Sequence, residues 1–131
     1  MVTLKNGDIL TVTCEFQHKG EAFSGAKVYA TVGKADTLIE RFEELQGYNG
    51  TTTITGIKND EDWTTYQVTV DVSIQNIGGF LGPKPGSIYE IYVKLIGIPG
   101  PDIFWYGPHD DINLETGEAA FQNLSVSYAK A

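Results

Sequence analysis

The sequence has one cysteine, two histidines, no long apolar run, and only nine basic residues against seventeen acidic ones. Each shortage removes a class of function. With Cys14 alone, no disulfide can form within the chain. A membrane-spanning helix needs about 20 consecutive apolar residues, and every apolar stretch here is broken well before that, so no membrane insertion is expected. The net charge of −8 repels phosphate backbones, and lysines and arginines stand singly rather than in a stripe. Nucleic acid is therefore not an expected ligand. Met1 runs directly into Val2-Thr3-Leu4-Lys5, without the basic start and apolar core of a secretory signal.

Catalytic sets are missing as well. No G-x-S-x-G elbow surrounds any serine, and no phosphate-cradling glycine loop follows a strand. A triad needs a nucleophile, a histidine and an orienting acid. Only His18 and His109 could serve as the base, and neither lies in a nucleophile motif. His109 is followed by Asp110 and Asp111, but neighbouring loop or strand residues point apart, so it reads as a surface histidine. Carboxylate pairs of the glycosidase kind are common in any acidic chain, and none is singled out by its setting. The expectation is a protein that is not an enzyme.

What the sequence does have is alternation with period two, punctuated by glycine and proline. Residues 9–16 place Leu10, Val12, Cys14 and Phe16 on one face, with a polar stretch over 17–21. Ala26, Val28, Ala30 and Val32 form the next buried row. Asn49-Gly50 has the composition of a type I′ hairpin turn leading into 51–57. Asn59-Asp60-Glu61-Asp62 reads as a polar loop, and Trp63 leads into the clearest strand, where Tyr66, Val68, Val70, Val72 and Ile74 alternate with polar residues. After a Gly/Pro-rich loop over 78–86, the segment 88–96 points Tyr89, Ile91, Val93 and Leu95 inward. Short strands follow at 103–106, 112–114 and 124–128, with turns at 97–101, 107–111 and Thr116-Gly117.

Residues 37–46 admit two readings. Thr37-Leu38-Ile39-Glu40 has capping-box spacing, with Leu38, Phe42 and Leu45 on one helical face and Gly47 as its stop; the alternative is an irregular edge strand. At 131 residues and 41% hydrophobic content the chain suits one domain with one core. The fold expected is all-β: a single antiparallel β-sandwich over 1–131, immunoglobulin-like or jelly roll, with eight or nine strands and at most one short helix near 37–46.

Three groups of residues are candidates for a site. Trp105 and Tyr106 are adjacent in a strand and face opposite sides, with Phe104 on the side of Tyr106. One ring can close the end of the sandwich; the other is a contact for a ligand or partner. Trp63 is a further exposed-aromatic candidate, because aromatic faces take sugar rings and partner side chains well. Asp60, Asp62, Asp110 and Asp111 are the carboxylates a structural calcium would use, since calcium needs six to eight oxygens and sandwich loops supply them. The EF-hand pattern is absent, and acid runs commonly just face water, so the cofactor expected is none, with structural calcium as the alternative. Cys14 reads as a small core residue rather than a reactive thiol.

The phrase Asp62-Trp63-Thr64-Thr65-Tyr66-Gln67-Val68-Thr69-Val70 resembles one common in carbohydrate-binding-module jelly rolls, where Trp-x-x-Tyr leads into a long alternating strand. Pro85-Gly86-Ser87-Ile88-Tyr89-Glu90-Ile91-Tyr92-Val93 and Asp110-Asp111-Ile112-Asn113-Leu114 resemble the closing strands of such modules. Gly7-Asp8-Ile9-Leu10-Thr11-Val12 is similar to the first strand of many immunoglobulin-like surface and phage-virion modules. The resemblance implies a β-sandwich and two functions. The first is a non-catalytic structural or adhesion module of a virion or surface assembly, contacting other protein subunits, including copies of itself. The alternative is a carbohydrate-binding module whose exposed aromatics take a glycan. A virion or extracellular surface is the location implied, and the lack of a signal leaves the cytoplasm open.

Overall fold

The computed structural model describes residues 1–36, 41–116 and 122–130. Within them lie eight strands: β1 (Val2–Lys5), β2 (Ile9–Gly20), β3 (Lys27–Asp36), β4 (Arg41–Thr53), β5 (Asp60–Ser73), β6 (Ser87–Ile96), β7 (Ile103–Tyr106) and β8 (Ile112–Glu115). They form a β-sandwich. One sheet has the order β1-β8-β6-β3-β4, with β7 also on β6; the other is the antiparallel pair β2-β5. In this order β1 runs parallel to β8, and the remaining pairings within both sheets are antiparallel.

The core is built where the alternating rows meet. Val28, Ala30 and Val32 of β3 and Val70 and Val72 of β5 are almost fully buried, joined by Ile74, Ile112 and Leu114. Each such valine or leucine contributes about 1.5–3 kcal/mol relative to remaining exposed. Tyr48 is also buried, and its hydroxyl donates to the Gln75 carbonyl, which satisfies the one polar atom its ring carries inward.

The two long edges of the sandwich differ. On one side β4 closes the gap: Thr52 Oγ1 donates to the Thr69 carbonyl at 2.6 Å, and Gly50 lies so close to β5 that a Cβ there would stand 2.2 Å from the Asp71 oxygen. On the other side β2 pairs only with β5, and among the described residues no strand lies on its second edge.

Several expectations are corrected. Asn49-Gly50 is no turn: it is paired strand, opposite Thr31 and Ala30, and the glycine serves close sheet approach. The chain instead bulges just before it. Leu45, Gln46, Gly47 and Tyr48 together face Val32 alone, and Gly47 takes the left-handed conformation this requires (φ 83°). The helix alternative fails from Arg41 onward, where β4 pairs with β3; its remaining residues, 37–40, lie outside the described residues. The acidic run is not a loop, because β5 begins at Asp60, and β2 continues through the polar stretch to Gly20. The segment 124–128 forms no strand, and Leu124, Val126 and Tyr128 are 92%, 75% and 96% exposed. Its alternation suits a strand, but among the described residues it has no partner strand to complete it. β1 was missed, since only Leu4 of its four residues is buried.

Candidate functional site

β6 carries the site, because both faces of its middle are used. Tyr89, Ile91, Val93 and Leu95 face the core, as expected, so Glu90, Tyr92 and Lys94 lie on the outer face of the large sheet. β7 pairs with the second half of β6, matching Tyr92 with Tyr106, Val93 with Trp105, Lys94 with Phe104 and Leu95 with Ile103. Phe104 and Tyr106 therefore join the outer face, while Ile103 and Trp105 share the inner side. The opposition of Trp105 and Tyr106 read from the sequence holds. Neither ring closes a core, however: Ile103, Phe104, Trp105 and Tyr106 are all between 53% and 55% exposed.

On the outer face, Tyr92 is the hub of an aromatic cluster. Its ring lies 4.8 Å from that of Tyr106 and 5.1 Å from that of Phe42, and 6.0 Å from that of Phe104, within 8° of parallel. Such offset arrangements stabilise by about 0.5–1.5 kcal/mol per pair beyond area burial. Burial, with the neighbouring Tyr106 hydroxyl, holds the Tyr92 phenol above its usual pKa. Beside the cluster, Lys94 Nζ sits 5.1 Å from the centre of the Tyr29 ring. Tyr29 donates to Glu44 at 2.8 Å, and burial followed by that bond pushes its phenol up to about 12. It therefore remains a donor at any physiological pH.

At the edge of this face the β7–β8 connection bulges. Tyr106 is opposite Tyr92 and Ile112 is opposite Tyr89, so residues 107–111 span only Glu90 and Ile91. Gly107 N–H donates to the Ile91 carbonyl and anchors the bulge, and Asp110 adopts a left-handed backbone (φ 55°). The excursion folds His109 back over Glu90, with Nδ1 2.8 Å from Oε2. Glu90 is 2% exposed, and its backbone partner on β3 is Gly33, whose missing side chain leaves room for β4 to pass close by. A carboxylate can only accept, so His109 donates from Nδ1 and its Nε2 is free to meet solvent. Sequence reading missed this pair. Its one signal was an acid within the apolar run Ile88-Tyr89-Glu90-Ile91-Tyr92.

A second histidine–carboxylate pair lies at the far end of β2. His18 Nδ1 is 2.8 Å from Asp60 Oδ2, to which the Tyr66 hydroxyl also donates at 2.6 Å. The bonds from Tyr66 and His18 hold the Asp60 carboxyl below its ordinary pKa, and the same bond raises the Tyr66 phenol. Trp63 is nearby on β5 and two-thirds exposed, and with Phe23 and Ile98 it lines the depression beside His18. Among the described residues neither imidazole bonds to a serine, threonine or cysteine side chain.

The four acids considered for calcium are dispersed. Asp60 and Asp62 lie on β5, Asp60 is engaged by His18 and Tyr66, and Asp110, beside Asp111 in the bulge, stands 3.7 Å from Lys34 Nζ. Among the described residues no group of three or more His, Cys, Asp or Glu is arranged to hold a metal ion.

Cys14 is only partly buried, a correction to its reading as a core residue. With Val12 and Phe16 it forms one wall of an open groove of about 580 Å³, and Ile91, Val93 and Trp105 form the other. Its thiol is held above its usual pKa by partial desolvation, which keeps it protonated and a weak nucleophile. Comparison with known proteins finds no matching family model, no similar curated protein and no similar solved structure.

Proposed function

We propose that this chain is a non-catalytic structural or adhesion module that works through protein–protein contacts centred on β7, in an assembly such as a virion or a cell surface. The observation that carries the reading is the exposure of β7. Four consecutive large apolar or aromatic side chains, two on each face of one short edge strand, are each more than half exposed. Scattered surface apolars are ordinary, but a continuous patch of Phe42, Tyr92, Phe104 and Tyr106 is the composition of an interface core. Tyrosine and tryptophan anchors of this kind commonly carry most of an interface's energy.

A second reading, glycan binding, is favoured by one feature. The Tyr92 and Phe104 rings are nearly parallel, which suits stacking against a sugar face, with His109 on the same side of the sheet offering Nε2 as a hydrogen-bond acceptor. The two readings separate experimentally by replacing Tyr106 with photoreactive benzoylphenylalanine and irradiating in the native host. Covalent adducts to a defined protein subunit, lost when Phe104→Ala is added, are the expected result. Failure to form adducts, with selective signals on a glycan array that Phe104→Ala abolishes, would transfer the site to sugar.

A further inference from the structure

We propose that the groove along the free edge of β2 is filled by the 124–128 segment of a second copy of this chain, which adds as a strand and links copies head to tail. This inference goes beyond the outer aromatic face and does not depend on it. β2 is 12 residues long and among the described residues pairs with β5 alone, so every second residue along its other edge directs an N–H and a C=O outward. Natural sandwiches blunt such edges with charges, bulges or a covering strand. Here the wall beside the edge is apolar on both sides, from Val12, Cys14 and Phe16 on β2 to Ile103 and Trp105 on β7.

The occupant is written in the same chain. Leu124, Val126 and Tyr128 alternate with Ser125 and Ser127 and stand exposed. Three apolar side chains at period two match the three apolar residues that β2 gives to the groove wall, Val12, Cys14 and Phe16, in number and spacing. Residues 122–130 include no acid and carry Lys130, whereas the chain as a whole bears −8. The groove is lined by one acid, Glu15, and one base, Lys94, so this stretch enters it without the self-repulsion that opposes other contacts between copies.

A second copy suits the groove better than the chain's own segment. β8 runs to the Ser87 end of β6, and Thr116 packs near Gly78, next to Ile77, whose N–H is held by Asn6 at the turn into β2. The chain leaves β8 where β2 begins, and from there the direct course along β2 is parallel to it. Parallel pairing is slightly less stable per residue, and a second copy is free to enter antiparallel. Such a contact is heterologous, and it generates rings or open filaments according to whether the rotation closes.

Sedimentation velocity on the full chain should reveal concentration-dependent association, and Val126→Asp should weaken it at least about tenfold, as at a central interface position. At concentrations where the chain is monomeric the melting temperature should not change, because Val126 is exposed in the free chain. Disulfide capture identifies the seat: Leu124→Cys, Val126→Cys and Tyr128→Cys, each made singly, are oxidised with the native Cys14 present. At least one should give covalent multimers, and Ser125→Cys should give few. A chain that sediments as a monomer at every soluble concentration would overturn the proposal. So would association indifferent to Val126→Asp, or linkage to Cys14 within one molecule only. Tyr106→Ala, at a ring outside the groove lining, should leave this association intact, so loss of outer-face contacts and loss of strand donation are read separately.

Discussion

His109 reaches back across a five-residue bulge to place Nδ1 2.8 Å from Oε2 of Glu90, a carboxylate buried in the middle of β6. The imidazole itself is 70% exposed, so the pair joins an inaccessible acid to an accessible donor. Removing the donor leaves a buried carboxylate short of a partner. His109→Ala should therefore destabilise by about 1–3 kcal/mol, the cost of an unsatisfied buried acceptor, moderated by water reaching the vacated space. Glu90→Gln keeps an acceptor and should cost less. Urea denaturation of the two variants checks this order, and an unchanged midpoint for His109→Ala would show that the bond contributes nothing.

Two glycines are required by packing rather than by turn geometry. A Cβ on Gly33 would lie 2.1 Å from the Glu43 oxygen, and one on Gly50 would lie 2.2 Å from that of Asp71. Both obstacles are backbone, so no side-chain rotation relieves them. Gly33→Ala and Gly50→Ala should each cost about 2 kcal/mol or more, at the upper end of overpacking penalties. Gly56→Ala, at an open position with φ 77°, should be milder, carrying backbone strain alone. Thermal melts of the three variants test the ranking.

The same glycines explain what could and could not be read in advance. Alternation over β2, β5 and β6 is a local signal, and it gave the strands and the inward rows correctly because one face of each is buried. Asn49-Gly50 looked like a turn because a glycine's local meaning is conformational, whereas here it marks the approach of two sheets that are distant in sequence. The outer aromatic patch was half legible. Parity along 103–106 put Phe104 and Tyr106 on one face, but the partners Tyr92 and Phe42 depend on strand pairing and on the bulge opposite Val32. Segment 124–128 has the pattern of a strand and no partner among the described residues, since pattern records what a segment could bury and not whether a neighbour is there.

Asp60 gives a pH dependence whose sign follows from its depressed pKa. The bonds from Tyr66 and His18 favour its charged form in the folded state. A group of this kind contributes stability that is complete above its unfolded pKa, about 3.9 for an aspartate. That stability is lost as pH falls through the folded value, because the unfolded chain then binds the proton more readily. Asp60→Asn should lower the melting temperature at neutral pH, and the gap from the parent protein should narrow as the solution is acidified below about pH 4. Melting curves from neutral to strongly acidic pH check it. A gap of constant width would mean that shape, not charge, makes Asp60 important.

β7 offers the sharpest separation between stability and contact. Trp105 faces the groove beside β2, Tyr106 faces the outer cluster, and both are just over half exposed. Neither ring holds the core, so Trp105→Ala and Tyr106→Ala should each lower the melting temperature only slightly. Their effects on binding should diverge. Trp105→Ala removes one wall of the groove and should weaken self-association by about 2 kcal/mol or more, as for a central aromatic anchor. Tyr106→Ala should leave self-association nearly unchanged and remove the contacts of the outer face. The double variant tests independence: with the side chains on opposite faces of the strand, the two losses should add within about 0.5 kcal/mol. Strong coupling between them, or a large drop in melting temperature from either alone, would mean that β7 is a structural edge whose exposure has no bearing on binding.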